Sequence, residues 1–222
     1  MQLDRRAFLA SSSALATATI AGCSEINIAG DEPLAFESTP ADVSKDALEG
    51  TGYEEATVDD VKFERTFDVA DEERTVTVTN WQSIYEKELD LDIDVEVSGD
   101  LSGAVFTVLT TPKVEIIGRE FNPVAEMSNE ELVDRIQDRY DGGQNVEVDE
   151  EDTATVLGEE TTRTRFVAEA DPDTTEVDVY LHVSDPVESG DDLVICGGGH
   201  PRMQPEGTEN VVTMMEAIEH GE

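Results

Sequence analysis

Three histidines, two cysteines and an abundance of carboxylates carry whatever chemistry this 222-residue chain can perform. In Val177-Asp178-Val179-Tyr180-Leu181-His182-Val183 the even positions share one face of a strand, so His182 lies beside Tyr180 and Asp178. A histidine hydrogen-bonded within a sheet is the plain reading, whether that face meets solvent or a covering helix. His200 follows Gly197-Gly198-Gly199 and precedes Pro201, which reads as a loop leaving a strand. Cys196 ends the apolar run Leu193-Val194-Ile195, as a buried, inert thiol would; His200 is the one local base that could activate it. Cys196 and His200 together make half a metal site, and structural zinc wants four ligands. His220, two residues from the end, reads as frayed. Tyr180, His182, Cys196 and His200 are therefore the candidate polar site, with no metal and no cofactor expected.

The acids carry less information than their number suggests. Asp90, Asp92, Asp94 and Glu96 resemble a calcium loop, but its sixth position is Val95 where glycine is needed and its twelfth is Leu101 where glutamate is needed. On a strand, alternate side chains stand about 6.7 Å apart, too far to share one ion unaided. The triple glycine is followed by neither Lys-Ser/Thr nor a helix start, so it is not a phosphate loop. No Gly-x-Ser-x-Gly elbow occurs. Among 53 acids, adjacent carboxylates arise by chance and assign no catalyst.

Thr39-Pro40-Ala41-Asp42 predicts a helix start, with Val43, Ala47 and Leu48 on one face and Gly50 and Gly52 as its stop. Alternation predicts strands over 58–69, 74–85, 89–97 and 103–117. Ser128-Asn129-Glu130-Glu131 has capping-box spacing, followed by a stripe of Leu132, Val133, Ile136 and Tyr140. Five further strands follow over 146–148, 153–156, 161–168, 177–183 and 193–197, then a helix capped by Thr208 with Val211, Val212, Met215 and Ile218 on its face. That order predicts an α+β fold: an antiparallel sheet packed by two to three helices.

The formal charge is −39, from 14 Lys+Arg against 53 Asp+Glu. A chain so poor in cations does not bind nucleic acid through phosphates. Self-repulsion of that size opposes folding in dilute buffer, but the Debye length at 1 M salt is about 3 Å, short enough to silence it. Scarce lysine, many threonines and acids spread along the whole chain resemble a haloarchaeal composition, so high salt is expected to be required for folding.

The N-terminus reads as an address. Arg5-Arg6-Ala7-Phe8-Leu9 resembles the twin-arginine export motif, with Asp4 a departure from the Ser/Thr usual before the arginines. An apolar stretch from Ala7 to Ala21 is too short to span a bilayer. Ile20-Ala21-Gly22-Cys23 resembles a lipobox, which implies cleavage before Cys23 and a lipid on its sulfur, with two chains needed for stable attachment. The domain expectation is a signal peptide over 1–22, a lipidated Cys23 with a tether over 23–33, and one domain over 34–222.

From about Gly103 onward, the order of elements, Asn122-Pro123 and a hairpin around Leu157-Gly158 are similar to the PsbP/LpqN-type sandwich, which implies a lipid-anchored or lumenal accessory protein. The whole chain resembles a family of haloarchaeal lipoproteins of unknown function, with Phe121-Asn122-Pro123-Val124-Ala125 and Tyr180-Leu181-His182-Val183 as distinctive patches. The expected function is a lipid-anchored, extracytoplasmic binding or accessory module without catalytic activity, its partner a protein at the cell surface. The alternatives are a small-ligand carrier, or an enzyme whose site is assembled from dispersed polar residues.

Overall fold

A computed structural model describes residues 34–69, 72–88, 103–116, 119–120, 143–170 and 177–221. The export segment, Cys23, the tether, the acidic run 89–97, the patch 121–125 and the helix expected after Ser128 lie outside the described residues.

The chain opens with β1 (Leu34–Glu37) and β2 (Ala41–Val43), then the short helix α1 (Lys45–Thr51). Next come β3 (Glu54–Val69), β4 (Glu72–Glu88), β5 (Gly103–Pro112), β6 (Glu115–Ile116) and β7 (Arg119–Glu120). The second half holds β8 (Gly143–Val156), β9 (Glu159–Ala170), β10 (Val177–Ser184), β11 (Val187–Ser189) and β12 (Asp192–Pro201). Helix α2 (Gly207–Glu216) and β13 (Ile218–His220) close it. One nine-stranded sheet runs β1-β4-β5-β12-β10-β9-β8, with β3 also pairing β4 and β11 also pairing β12. Strand β4 is long enough to pair β3 along one side, and β1 then β5 along the other. β1 runs parallel to β4 while its other neighbours are antiparallel, so the sheet is mixed.

These findings correct the expected α+β class. The described structure is predominantly β, and two helices are found among the described residues, not an antiparallel sheet packed by two to three helices as in a PsbP-like sandwich. The first helix shows why. The Thr39-Pro40 start signal is real in isolation, but Ala41–Val43 is drawn into a ladder with β13, pairing Val43 with Ile218. The Val43 N–H also donates to Tyr85 Oη at 2.9 Å. Tertiary pairing overrides the local preference, and the helix begins at Lys45, after Ser44. Likewise, the strands expected at 146–148 and 153–156 are one strand, β8, kinked by irregularities in its pairing with β9. The hairpin at Leu157-Gly158 is present, both residues having positive φ (53° and 80°).

Alternation sorts the sheet into two faces. One carries Tyr85, Phe106, Val108, Val194 and Cys196, and α2 packs on it with Val211, Met214 and Met215. The opposite face carries a smaller cluster of Phe166, Val183 and Ile195. The approach of α2 depends on glycine. A Cβ at Gly198 would stand 2.7 Å from Val211 Cγ2, and one at Gly207 would overlap the His200 imidazole. Gly197-Gly198-Gly199 is therefore strand interior, paired with β5 and β10, and not the loop expected from its composition. It keeps the sheet bare where the helix lies close.

Candidate functional site

Among the described residues the histidines fall into two clusters, one in the sheet's centre and one at its margin. The central cluster follows from β12 running on to Pro201, which places His200 opposite Tyr180 and Gly198 opposite His182. Both imidazoles lie on the face covered by α2 and are buried. They stack at 5.2 Å between centroids and 17° between planes, with Nε2 of each 3.1 Å apart. Tyr180 sits against His200 at 5.7 Å, and the guanidinium of Arg165 lies 4.7 Å from the Tyr180 ring centre.

The protons can be assigned by what each nitrogen faces. His200 Nδ1 lies 3.0 Å from the Pro201 carbonyl, which can only accept, so Nδ1 carries the hydrogen. In the neutral ring Nε2 is then an acceptor, for the His182 Nε2–H at 3.1 Å and the Thr208 hydroxyl at 3.4 Å. That leaves the His182 Nδ1 lone pair buried and without a hydrogen-bond partner. Neutrality is enforced by the surroundings. Burial is the main cause that pulls the His182 pKa down to about 3, helped by His200, Arg163 and Arg165. Burial also lowers that of His200. Arg163 is itself buried, forked onto Asp152 through Nε (2.7 Å to Oδ1) and Nη2, with Nη1 unpartnered.

The sequence thus located Tyr180, His182 and His200, and the fold brings them together. It does not bring Cys196 to them. Four residues along an extended strand separate Cys196 from His200 by about 13 Å. The Cys196 thiol instead donates to Ser184 Oγ at 3.3 Å, and burial pushes it up to about 12, beyond any use as a nucleophile. No group of three or more potential metal ligands forms among the described residues. The His182–His200 pair is a buried, neutral fastening between helix and sheet.

The marginal cluster is built from residues that sequence reasoning missed. His220 is not frayed: it ends β13, with its side chain only 3% exposed. Ser189 and Asp192 face each other across the β11–β12 hairpin, so their side chains share a face. His220 Nδ1 lies 2.8 Å from Ser189 Oγ, and its Nε2 lies 3.3 Å from Asp192 Oδ2. Nε2 also faces the Thr39 carbonyl at 3.2 Å and the Thr39 hydroxyl oxygen at 2.8 Å. A carboxylate and a carbonyl can only accept, so Nε2 carries the hydrogen and Nδ1 accepts from the Ser189 hydroxyl. Asp192 is held in turn by the Thr39 N–H at 2.9 Å and the Thr39 hydroxyl at 3.1 Å. The only local signal was the Gly190-Asp191 turn; Thr39 and His220 arrive from opposite ends of the fold.

Residues 40–219 match a family model described as "Domain of unknown function (DUF6517)". No curated protein matches the chain. The match runs from the loop before β2 into β13 and so takes in both clusters apart from Thr39 and His220, and on that span the chain belongs to the DUF6517 family.

Proposed function

We propose that this chain is a haloarchaeal lipoprotein, exported by the twin-arginine route and tethered through Cys23 to the outer face of the cytoplasmic membrane. There its β domain serves as a binding or accessory module toward a cell-surface protein. The observation that carries the reading is the register of Arg5-Arg6, the short apolar stretch and Ile20-Ala21-Gly22-Cys23. Cys196 supports it, being a free, buried thiol rather than a disulfide partner for Cys23.

Substituting Cys23→Ser tests the anchor. The expected result is release from the membrane fraction or accumulation of a longer precursor; unchanged size and fractionation would overturn it. The charge makes a separate demand, that circular dichroism shows loss of folded structure as salt falls from molar to about 0.1 M. A protein equally folded at both would refute the halophilic reading.

A further inference from the structure

We propose that Ser189, His220 and Asp192 form a nucleophilic site that hydrolyses small carboxylic esters. The three roles follow from the bonds already described. Ser189 donates its hydroxyl hydrogen to the lone pair of His220 Nδ1 at 2.8 Å, the contact through which a base removes that proton. The opposite ring nitrogen is protonated toward the Thr39 carbonyl, which fixes the tautomer, and Asp192 Oδ2 at 3.3 Å stabilises the imidazolium once it forms. Asp192 is locked by both Thr39 donors, so the carboxylate cannot swing away.

Exposure differs usefully among the three. The His220 side chain is 3% exposed and that of Asp192 10%, so base and carboxylate are shielded from water, where their attraction is strongest. Ser189 is half-buried, at the end of the three-residue strand β11, next to the exposed turn at Gly190. A hydroxyl so placed can meet a substrate that its base cannot. The bonds from His220 Nε2 to Thr39 already fasten β13 to the segment before β2; that tie does not call for an Nδ1 lone pair aimed at a serine hydroxyl.

In the reaction, Ser189 Oγ adds to the ester carbonyl carbon as His220 Nδ1 takes the hydroxyl proton. The ester C–O bond then breaks and His220 returns the proton to the departing alcohol, leaving an acyl group on Ser189. Water, deprotonated by His220 Nδ1, attacks that acyl carbon. Carboxylic acid is released and the Ser189 hydroxyl restored, so ester and water become acid and alcohol with nothing else consumed. Asp192 acts as a positioning residue.

The test uses the full chain in molar KCl, treated with a fluorophosphonate probe and mapped by peptide mass spectrometry, with p-nitrophenyl acetate turnover in parallel. The expected result is phosphonylation at Ser189, absent from Ser189→Ala together with the turnover. Labelling should slow by about a hundredfold or more in His220→Gln. Asp192→Asn should lower kcat while KM and circular dichroism stay unchanged, a split that a purely structural carboxylate would not produce. Should His220→Gln fail to fold, the mapped site on the wild type still decides. A folded wild type left unlabelled at Ser189, or turnover equal in Ser189→Ala, would overturn the proposal.

Discussion

The central pair His182–His200 and the marginal His220 put the same side chain to opposite uses. In the centre, two imidazoles face each other with no carboxylate among their hydrogen-bond partners, and burial outweighs the Pro201 carbonyl and the nearby Glu206 that favour a charged His200, so both rings stay neutral. At the margin, one imidazole stands between a carboxylate and a serine hydroxyl. Both histidine sets are shielded from solvent, but the central lone pair meets the Thr208 hydroxyl only at a long 3.4 Å, whereas the marginal one holds the Ser189 hydroxyl at 2.8 Å. Burial sets how strongly groups act on one another, and the identity of the neighbours sets what they can do.

The largest test of the comparison is steric. Gly207→Ala drives a methyl into the His200 ring, and the overpacking should cost about 3 kcal/mol, read from chemical denaturation in molar salt. An alanine tolerated without loss would mean that α2 does not rest on the histidine pair. At the margin, Asp192→Ala takes the acceptor away from two Thr39 donors and should cost about 2 kcal/mol by the same measurement.

Acid should discriminate next. The folded pKa of His182 lies near 3, below the ordinary 6.5. The unfolded chain therefore binds the extra proton first. The stability from keeping this ring neutral is intact above about pH 6.5 and is lost as pH falls toward about 3, at roughly 1.4 kcal/mol per pH unit. Denaturation midpoints between pH 7 and 5 should show that slope in the wild type and a shallower one in His182→Gln. Equal slopes would sink the account of a sealed neutral pair. The smallest effect should come from Thr208→Val, which deletes a long 3.4 Å contact to His200 and should cost about 0.5 kcal/mol, seen as a small shift in melting temperature.

Local pattern made several elements legible. Alternation located β3, β4, β5, β9 and β10 within a few residues, and the terminal helix is capped two residues earlier than expected, at Glu206 instead of Thr208. Tyr180 and His182 were placed on one face because strand periodicity is a local property. What failed was non-local. Thr39-Pro40-Ala41 has the chemistry of a helix start, but β13, nearly 180 residues away, pairs with it first. The glycine triplet reads as a loop because glycine disfavours strands in isolation; its reason lies across the sheet, in Val211 and the helix that must come close.

The amino-acid sequence by itself settled the charge and the periodicities of its strands, since each depends on residue type and near neighbours alone. The tertiary structure decided that the sheet is mixed and predominant, that His200 meets His182 while Cys196 does not, and that Ser189, Asp192 and His220 converge with Thr39. Those contacts join segments up to 181 residues apart. No local signal encodes such a meeting, because it exists only once the strand order and the last turn of chain have closed the fold.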